Sequence, residues 1–291
     1  MIVIGANVSS AGGVLQTLPR AKALGVQAIQ FFASSPRSWQ RRVISTETAK
    51  EFREGLLASG FELWIHGSYL MNFATDKPVA LEQARQSLTQ DLADCAALGG
   101  KGVIFHLGSH RGRGVEQVIE QIIQTLGAIA ESTSEVNGYH LRGENGQPWI
   151  VIENSAGMGG SIGSKLEELG QIVKRLPEDR AKVCLDTQHL FAAGYPIHEE
   201  KGMARFIEDF DREVGLARLV ALHCNDSKIA FGGGVDRHAN ISEGEIGEAG
   251  IQVITHHAKL QNLPFLLEVP GVDHAGPDKA NVDRLRRIAQ S

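Results

Sequence analysis

Six short apolar runs in the sequence end in a histidine or an acidic residue. The run at residues 219–222 is followed directly by His223, and the loop after it carries Asp236 and His238. The five other runs end in His66, His106, Glu153, Asp186 and Glu268, and His189 lies three residues after Asp186. Imidazole and carboxylate ligands without thiolates favour zinc, manganese or iron over calcium or a four-thiolate structural site. The pattern therefore predicts a metal centre with nine ligands.

The repetition of this pattern separates these residues from ordinary core positions. A single histidine after an apolar run is more often a half-buried core residue than a metal ligand. That explanation would have to hold independently at six places, and six such coincidences are much less probable than one. Nine polar groups crowded together would also be costly to desolvate unless cations neutralised the carboxylates. With three or four ligands for each ion and one shared carboxylate, nine ligands suit three divalent metals. Zinc is the first expectation, with manganese or iron as alternatives at one or more sites.

The elements that would position these residues alternate along the whole chain. Strands are predicted over residues 2–6, 28–32, 61–65, 102–105, 149–152, 182–185, 219–222 and 265–267. Helices are predicted over residues 15–24, 46–58, 79–98, 115–132, 166–175, 203–214, 251–260 and 279–289. Continuous apolar strands are typical of parallel sheets that are buried on both faces. Eight such units without a domain-sized linker favour one α/β domain over residues 1–291, a (β/α)8 TIM barrel, over an open doubly wound sheet.

In a TIM barrel, the C-terminal ends of all strands lie on one rim, so the nine predicted ligands would converge there. The dinucleotide-binding alternative has little support, because no GxGxxG motif follows the first strand. The polar, glycine-rich segment at residues 136–148 is predicted to be a surface excursion before the fifth strand.

Composition narrows the class of protein further. The hydrophobic content of 42% and the charged content of 22% are those of a globular protein with a large core. The first residues, MIVIGANVSS, are those of a strand and not of an export signal, and no apolar run is long enough to span a bilayer. The three cysteines are widely spaced and odd in number, which argues against a disulfide framework. We therefore expect a cytoplasmic protein without a membrane partner. The net charge of −5 argues against indiscriminate polyanion binding, although bound cations would reverse the sign locally.

Several motifs together resemble the endonuclease IV family of metal-dependent apurinic/apyrimidinic (AP) endonucleases. They are HGSYLMNFA (66–74), FHLGSHRG (105–112), VIENSAGMGG (151–160), CLDTQHLFAAGY (184–195), LHCNDSK (222–228), DRHANISEGEIG (236–247) and LLEVPG (266–271). The resemblance covers essentially the whole chain in the right order, and it also includes GANVSSAGG at residues 5–13.

The resemblance implies a trinuclear metal centre. Carried over by position, His66, His106 and Glu153 would hold the first metal. Glu153 would bridge to a second metal, which Asp186, His223 and Glu268 would complete. The third would be held by His189, Asp236 and His238.

The implied reaction is hydrolysis of the DNA phosphodiester 5′ to an abasic site, leaving a 3′-hydroxyl and a 5′-deoxyribose phosphate. Metal ions lower the pKa of water and neutralise charge on phosphate oxygens, so no protein nucleophile is required. Glu153 and Glu268 are the predicted catalytic residues, and Glu268 is expected to orient or help deprotonate the attacking water. The family also implies cleaning of 3′ ends by phosphatase and phosphodiesterase activity. The expected partner is double-stranded DNA that contains abasic sites, bound by a monomer.

DNA contacts are expected on the loops of the same rim. The resemblance assigns Arg37, Tyr69 and Leu70 to insertion at the gap left by the missing base, where unstacking is cheapest. Plausible phosphate contacts are Arg41, Arg42, Arg111, Arg113, Lys228 and Arg237, each of which could equally be a solvated surface residue.

Some positions depart from the family pattern. Asn7 replaces the usual histidine, Leu107 a common proline and Gln188 a common cysteine, while all nine predicted ligands are intact. Two other interpretations remain. A sugar isomerase or epimerase would use the same barrel with one or two metals, which leaves the third ligand set unexplained. A metalloprotein that binds damaged DNA without turnover would not need the geometry of Glu153 and Glu268.

Overall fold

Eight parallel strands close into a barrel in the computed structural model, which describes residues 2–132, 135–141 and 147–291. The strands are β1 (Val3–Asn7), β2 (Ala28–Phe31), β3 (Glu62–His66), β4 (Gly102–His106), β5 (Trp149–Glu153), β6 (Ala181–Asp186), β7 (Leu219–His223) and β8 (Pro264–Leu267). Each strand pairs with its neighbours in sequence, and β8 pairs with β1 to close the barrel. The predicted TIM barrel is confirmed.

Apart from α6, the helices that connect the strands overlap the predicted ranges, with adjusted ends. They are α1 (Thr17–Leu24), α2 (Thr46–Ser59), α3 (Pro78–Leu98), α4 (Ile119–Glu131), α5 (Leu166–Val173), α6 (Thr187–Ala192), α7 (Glu200–Glu213), α8 (Gly247–His256) and α9 (Lys279–Gln290). The first three end at Gly25, Gly60 and Gly99, which adopt the left-handed conformation that glycine accommodates without strain. None of the helices within the described ranges is long and apolar enough to cross a membrane.

Alternation along the strands determines which side chains enter the barrel. Residues Ala28, Trp64, Ile104, Val151, Cys184, Ala221 and Leu266 form a buried cluster separate from the larger core that packs against the helices. This smaller cluster fills the inside of the barrel. Successive side chains on a strand point to opposite faces, so the residue two positions further along points inward again. That rule directs Gln30, His66, His106, Glu153, Asp186, His223 and Glu268 into the C-terminal mouth.

Two of the differences from the sequence-based prediction have an identified hydrogen-bonding cause. Helix α6 was not predicted, and it begins directly after β6 because the Asp186 carboxylate accepts a hydrogen bond from the backbone N–H of His189, at 3.0 Å. Helix α8 begins at Gly247 and not at residue 251. Its first turn depends on a distant residue, Asp226, which accepts hydrogen bonds from the N–H groups of Ile246 and Gly247 at 2.9 and 3.3 Å.

The glycine-rich excursion lies between α4 and β5, so it belongs to the end of the barrel opposite the predicted ligands. Its two-residue strands Glu135–Val136 and Tyr139–His140 pair in antiparallel fashion. The buried guanidinium of Arg180 donates to the carbonyl oxygens of Leu141 and Pro148, both at 2.7 Å, and so links both residues to the start of β6. Residues 142–146 lie outside the described part of the chain.

We predict that Asp226 is a main stabilising contact of the loop between β7 and α8. Asp226→Ala removes a fully buried acceptor from the N–H groups of Ser227, Gly244, Ile246 and Gly247. Buried donors without partners cost about 1–3 kcal/mol each, so the free energy of unfolding should fall by about 3 kcal/mol in urea titrations.

The matched control is Glu243→Ala on the same loop. Glu243 is about half exposed and pairs with Arg284, so its loss should cost less than about 1 kcal/mol. Equal losses for Asp226→Ala and Glu243→Ala would contradict the anchoring role of Asp226.

Candidate metal centre

The first group of potential ligands meets at one oxygen of Glu153. The Nε2 atoms of His66 and His106 each lie 3.3 Å from Glu153 Oε2. His66 Nδ1 is 2.8 Å from the carbonyl oxygen of Gly67, which can only accept a hydrogen bond. The proton of the neutral ring is therefore on Nδ1, and the Nε2 lone pair points at the carboxylate.

The second group meets at the other oxygen of the same carboxylate. His223 Nδ1 lies 2.9 Å from Glu153 Oε1, 3.3 Å from Glu268 Oε2 and 3.9 Å from Asp186 Oδ2. His223, Glu153 and Asp186 are fully buried, whereas the Glu268 side chain is 11% exposed. Glu268 is therefore the carboxylate of this group that solvent can reach.

The third group lies beside the second. His189 Nε2 is 3.4 Å from Asp236 Oδ2, and His238 Nε2 is 3.3 Å from Asp236 Oδ1. His238 Nε2 is also 3.6 Å from Asp186 Oδ2. Asp186 thus borders both the second and the third group, although the sequence-based prediction assigned it to the second alone.

These groups fit divalent metal ions. In three sets the ligand atoms lie within 4.8 Å of one another: His66 with His106 and Glu153; Glu153 with Asp186, His223 and Glu268; and Asp186 with His189 and His238. The Nε2 atoms of His189 and His238 are buried and have no hydrogen-bond partner among the described residues, in spite of the nearby carboxylates. A buried nitrogen lone pair facing carboxylate oxygens is unfavourable unless a cation or a proton lies between them. Nitrogen and oxygen donors of this kind suit zinc, manganese or iron.

The pKa values of Glu153 and His189 show that carboxylates and imidazoles of the cluster stabilise each other's charged forms. Burial raises the pKa of Glu153, but the neighbouring His106 and His223 outweigh it and bring this pKa well below the usual range. Burial lowers the pKa of His189, yet the nearby Asp186 carboxylate reverses the effect, and this pKa rises to about 10. The carboxylates therefore favour positive charge at the ring nitrogens, which a metal ion could supply.

Polar side chains that the sequence-based prediction missed hold these ligands in place. Asn154 Oδ1 accepts from the N–H of Asp186 at 2.6 Å, and Asn225 Nδ2 donates to Asp186 Oδ2 at 2.7 Å. Gln188 Nε2 donates to the carbonyl oxygen of Val235 at 3.0 Å, and Gln188 Oε1 accepts from the N–H of Arg237 at 3.3 Å. The signal for Asn154 and Asn225 is their position one or two residues after a ligand.

A cleft of about 380 Å³ adjoins the centre. Its walls include His106, His189 and Asp236 together with the predicted DNA-contacting residues Tyr69, Leu70 and Arg111. The side chains of Tyr69 and Leu70 are 53% and 38% exposed, so two apolar groups face solvent next to the predicted ligands. Exposed apolar side chains gathered at a cleft indicate a binding surface.

The other basic residues differ in exposure and in their hydrogen-bond partners. Arg37, Lys228 and Arg237 are exposed, although none of them lines the cleft. The Nη2 atom of Arg41 lies 2.6 Å from Asp91 and 2.8 Å from Asp94. These ion pairs engage the Arg41 side chain, and its suggested phosphate contact stays a prediction. Of the remaining two residues, Arg42 donates a hydrogen bond to the carbonyl oxygen of Ser10, and Arg113 donates one to that of Ala74.

Fold and site together define a TIM barrel whose C-terminal mouth carries three groups of side chains able to hold divalent metals. Residues 18–289 match the family model described as xylose isomerase-like TIM barrel. The chain is 36% identical to a probable endonuclease 4 of Halothermothrix orenii, over 98% of this chain and 99% of the relative. It is 37% identical to one from Halorhodospira halophila, over 99% and 94%. This chain belongs to the endonuclease IV family.

Solved structures agree with this assignment. Endonuclease IV from Thermus thermophilus matches with a TM-score of 0.81 and 33% identity, covering 99% of this chain and 98% of that one. A D-tagatose 3-epimerase-like protein matches with a TM-score of 0.73 at 17% identity, covering 99% and 97%. The second likeness shows a shared fold and no more.

We predict that the third group binds its own metal ion. His189→Ala should reduce the metal content of the purified protein by about one ion per chain, measured by elemental analysis after dialysis. His198→Ala is the control, since His198 packs against Phe191 and Phe231 and belongs to none of the three groups. An unchanged metal content in His189→Ala, or an equal loss in both variants, would contradict the assignment.

Proposed function

We propose that this chain is a metal-dependent endonuclease that hydrolyses DNA on the 5′ side of abasic sites. The observation that carries the proposal is the convergence of three potential metal-binding groups beside a cleft with exposed apolar side chains. The first two groups share Glu153, and the second and third both border Asp186. Membership in a family whose curated relatives are named probable endonuclease 4 supports the same reaction class.

The first group would be held by His66, His106 and Glu153, and the second by Glu153, Asp186, His223 and Glu268. His189, Asp236 and His238 would hold the third, with Asp186 beside them. Three divalent cations bound there, zinc in the first instance, would lower the pKa of an attacking water and neutralise charge on the phosphate and the leaving oxygen. The buried Glu153 would hold its neighbouring imidazoles in fixed directions, because all of them contact one carboxylate.

Glu268 is the residue we assign to orienting the attacking water. It is the one carboxylate of the second group that solvent reaches, and one of its oxygens is held by a hydrogen bond from Gln30. The side chain can therefore accept a proton from water without a change of rotamer. Glu268 is a candidate ligand at the same time, and both roles require a fixed position.

Substrate recognition would use the cleft and its rim. Tyr69 packs edge-on against Phe32 and His66, with ring centroids 5.1 and 5.7 Å apart, so its ring is braced while half of its surface remains exposed. A braced aromatic ring with Leu70 beside it could fill the space of a missing base. Arg111 adopts a positive φ of 47°, in a turn where His110 Nδ1 accepts from the N–H groups of Gly112 and Gly114. This turn places Arg111 at the cleft, where a phosphate could pair with it.

Further details of the proposal follow from the family. We propose that Arg37 enters the gap together with Tyr69, and that Lys228 and Arg237 contact the DNA backbone. The products would be a 3′-hydroxyl and a 5′-deoxyribose phosphate, and blocked 3′ ends would be cleaned at the same site. The chain would act as one catalytic domain, as a monomer.

The test is incubation of the zinc-loaded protein with a duplex that carries one tetrahydrofuran abasic analogue. We expect a single nick 5′ to the analogue without added magnesium. Glu268→Gln should reduce the incision rate by at least about a hundredfold, because a positioned proton acceptor contributes on the order of 10²–10⁴ to a rate. Binding of the same duplex, measured by fluorescence anisotropy, should persist in Glu268→Gln.

Glu199→Gln is the matched control, since Glu199 is exposed and pairs with His198 away from the centre. Intact substrate after treatment with metal-loaded wild-type protein would overturn the proposed reaction. Tight binding without any nick would instead indicate a binding protein, and ketose–aldose turnover would indicate an isomerase.

A further inference from the structure

Gln30 is a fully buried glutamine in the middle of β2, and no prediction from the sequence assigned it a role. The other residues of its strand, AIQF, are apolar. A primary amide in the interior is costly unless both of its ends form hydrogen bonds. The alternation of side chains along β2 directs Gln30 inward, two residues after Ala28 of the barrel-filling cluster.

Both ends of the Gln30 amide are engaged at the second group of potential ligands. Gln30 Nε2 donates to Glu268 Oε1 at 2.6 Å, and Gln30 Oε1 lies 2.8 Å from His223 Nε2. A carboxylate oxygen accepts a hydrogen bond, so the NH2 end of the amide must face Glu268. The amide oxygen then faces His223 and can only accept. This arrangement requires the proton of the neutral His223 ring to be on Nε2.

The other nitrogen of His223 is therefore free of a proton when the ring is neutral. This Nδ1 atom faces Glu153 Oε1 and Glu268 Oε2 at 2.9 and 3.3 Å. One amide thus directs a nitrogen lone pair and a carboxylate toward the same point. The two ligands come from β7 and from the end of β8, while the amide comes from β2, on the other side of β1.

We propose that Gln30 is a positioning residue of the second metal site, which fixes the tautomer of His223 and the side-chain direction of Glu268. The inference rests on the proposed metal centre and extends it to a residue outside the nine predicted ligands. Groups that hydrogen-bond to metal ligands typically contribute about 10- to 100-fold in metal affinity.

The adjacent Asn7 does not share this role. Asn7 is the partner of Gln30 in the pairing of β1 with β2. Its Oδ1 atom is buried and has no hydrogen-bond partner in the described part of the chain. The hydrogen bond to Glu268 comes instead from Gln30.

The principal variant is Gln30→Met, because methionine has nearly the same length and volume but cannot make either hydrogen bond. Gln188→Met is the matched control. Gln188 is also fully buried, but it holds Val235 and Arg237, the residues on either side of Asp236 in the third group. We expect Gln30→Met to weaken metal binding at the second site and Gln188→Met to weaken it at the third.

Zinc release to a chromophoric chelator should separate the sites. In Gln30→Met, one of the bound zinc ions should have an affinity lower by about 10- to 100-fold, and the others should keep theirs. Spectra of zinc-loaded protein labelled with ¹⁵N-histidine give a second readout, with the His223 signals assigned by their absence in His223→Gln. The proton on His223 Nε2 should shift upfield in Gln30→Met, because it loses its acceptor, and should remain in place in Gln188→Met.

Three outcomes decide the inference. Wild-type protein that holds no zinc would remove the proposed metal centre and the role of Gln30 with it. Wild-type protein that holds zinc, with equal affinities and an unmoved His223 signal in Gln30→Met, would overturn the role of Gln30 alone. A uniform loss of affinity at every site, with a lower melting temperature of the metal-free protein, would show a structural role and overturn the inference as well.

Gln30→Asn is the second variant if Gln30→Met does not fold. It keeps an amide but is one methylene shorter, so it cannot reach both His223 and Glu268. The same selective loss at one site is expected, and zinc affinities equal to those of the wild type would count against the inference.

Discussion

The candidate centre depends on one buried carboxylate. Glu153 has no exposure to solvent, and four imidazoles surround it: His66 and His106 at 3.3 Å from one oxygen, His223 at 2.9 Å and His189 at 3.5 Å from the other. A buried carboxylate is tolerated only when positive charge or hydrogen-bond donors surround it. Three more carboxylates approach these same imidazoles, so four carboxylates share one site, and cations or protons on the rings must balance their charge.

The barrel is what allows this convergence. The histidines and acidic residues come from the ends of β3 through β8, which lie far apart in sequence and meet only when the strands close in a ring. Because alternate residues on each strand face inward, the apolar cluster that fills the barrel determines which residues face the mouth. The unfavourable free energy of placing these charges together is thus offset by burial of the apolar core, which does not depend on the centre. A metal-free protein would retain that core, while its mouth would contain uncompensated charge.

Local patterns in the sequence were sufficient to predict the barrel and the residues at its mouth. Apolar runs such as that ending in His106 mark buried strands, and the residue at the end of a run is where a parallel barrel presents its polar groups. Helix α6 was missed although its start carries a local signal, since Asp186 is an N-cap residue that accepts from the N–H of His189 three positions later. The start of α8 depends instead on Asp226, which lies about twenty residues earlier in the chain. The Asp226 contact, unlike that of Asp186, requires knowledge of which segments are adjacent in space.

The same limit applies to side chains that assist the ligands. In the sequence, Gln30 is a single polar residue in an apolar strand with no evident role. Its partner Glu268 lies 2.6 Å away in the structure but 238 residues away in the sequence. The inward direction of Gln30 could have been derived from the alternation on β2. Arg41 shows the opposite case, since a basic loop residue near the rim resembles a phosphate contact. Its ion pairs with Asp91 and Asp94 depend on the packing of that loop against α3, and the sequence does not reveal this packing.

The central claim is that three divalent cations balance the buried carboxylates around Glu153. Anomalous X-ray diffraction from crystals of the zinc-loaded protein, recorded on both sides of the zinc absorption edge, tests it most directly. We predict three anomalous peaks: one between His66 and His106, one beside His223, and one between His189 and His238. A single peak, or none with the carboxylates paired to protonated histidines, would contradict the account.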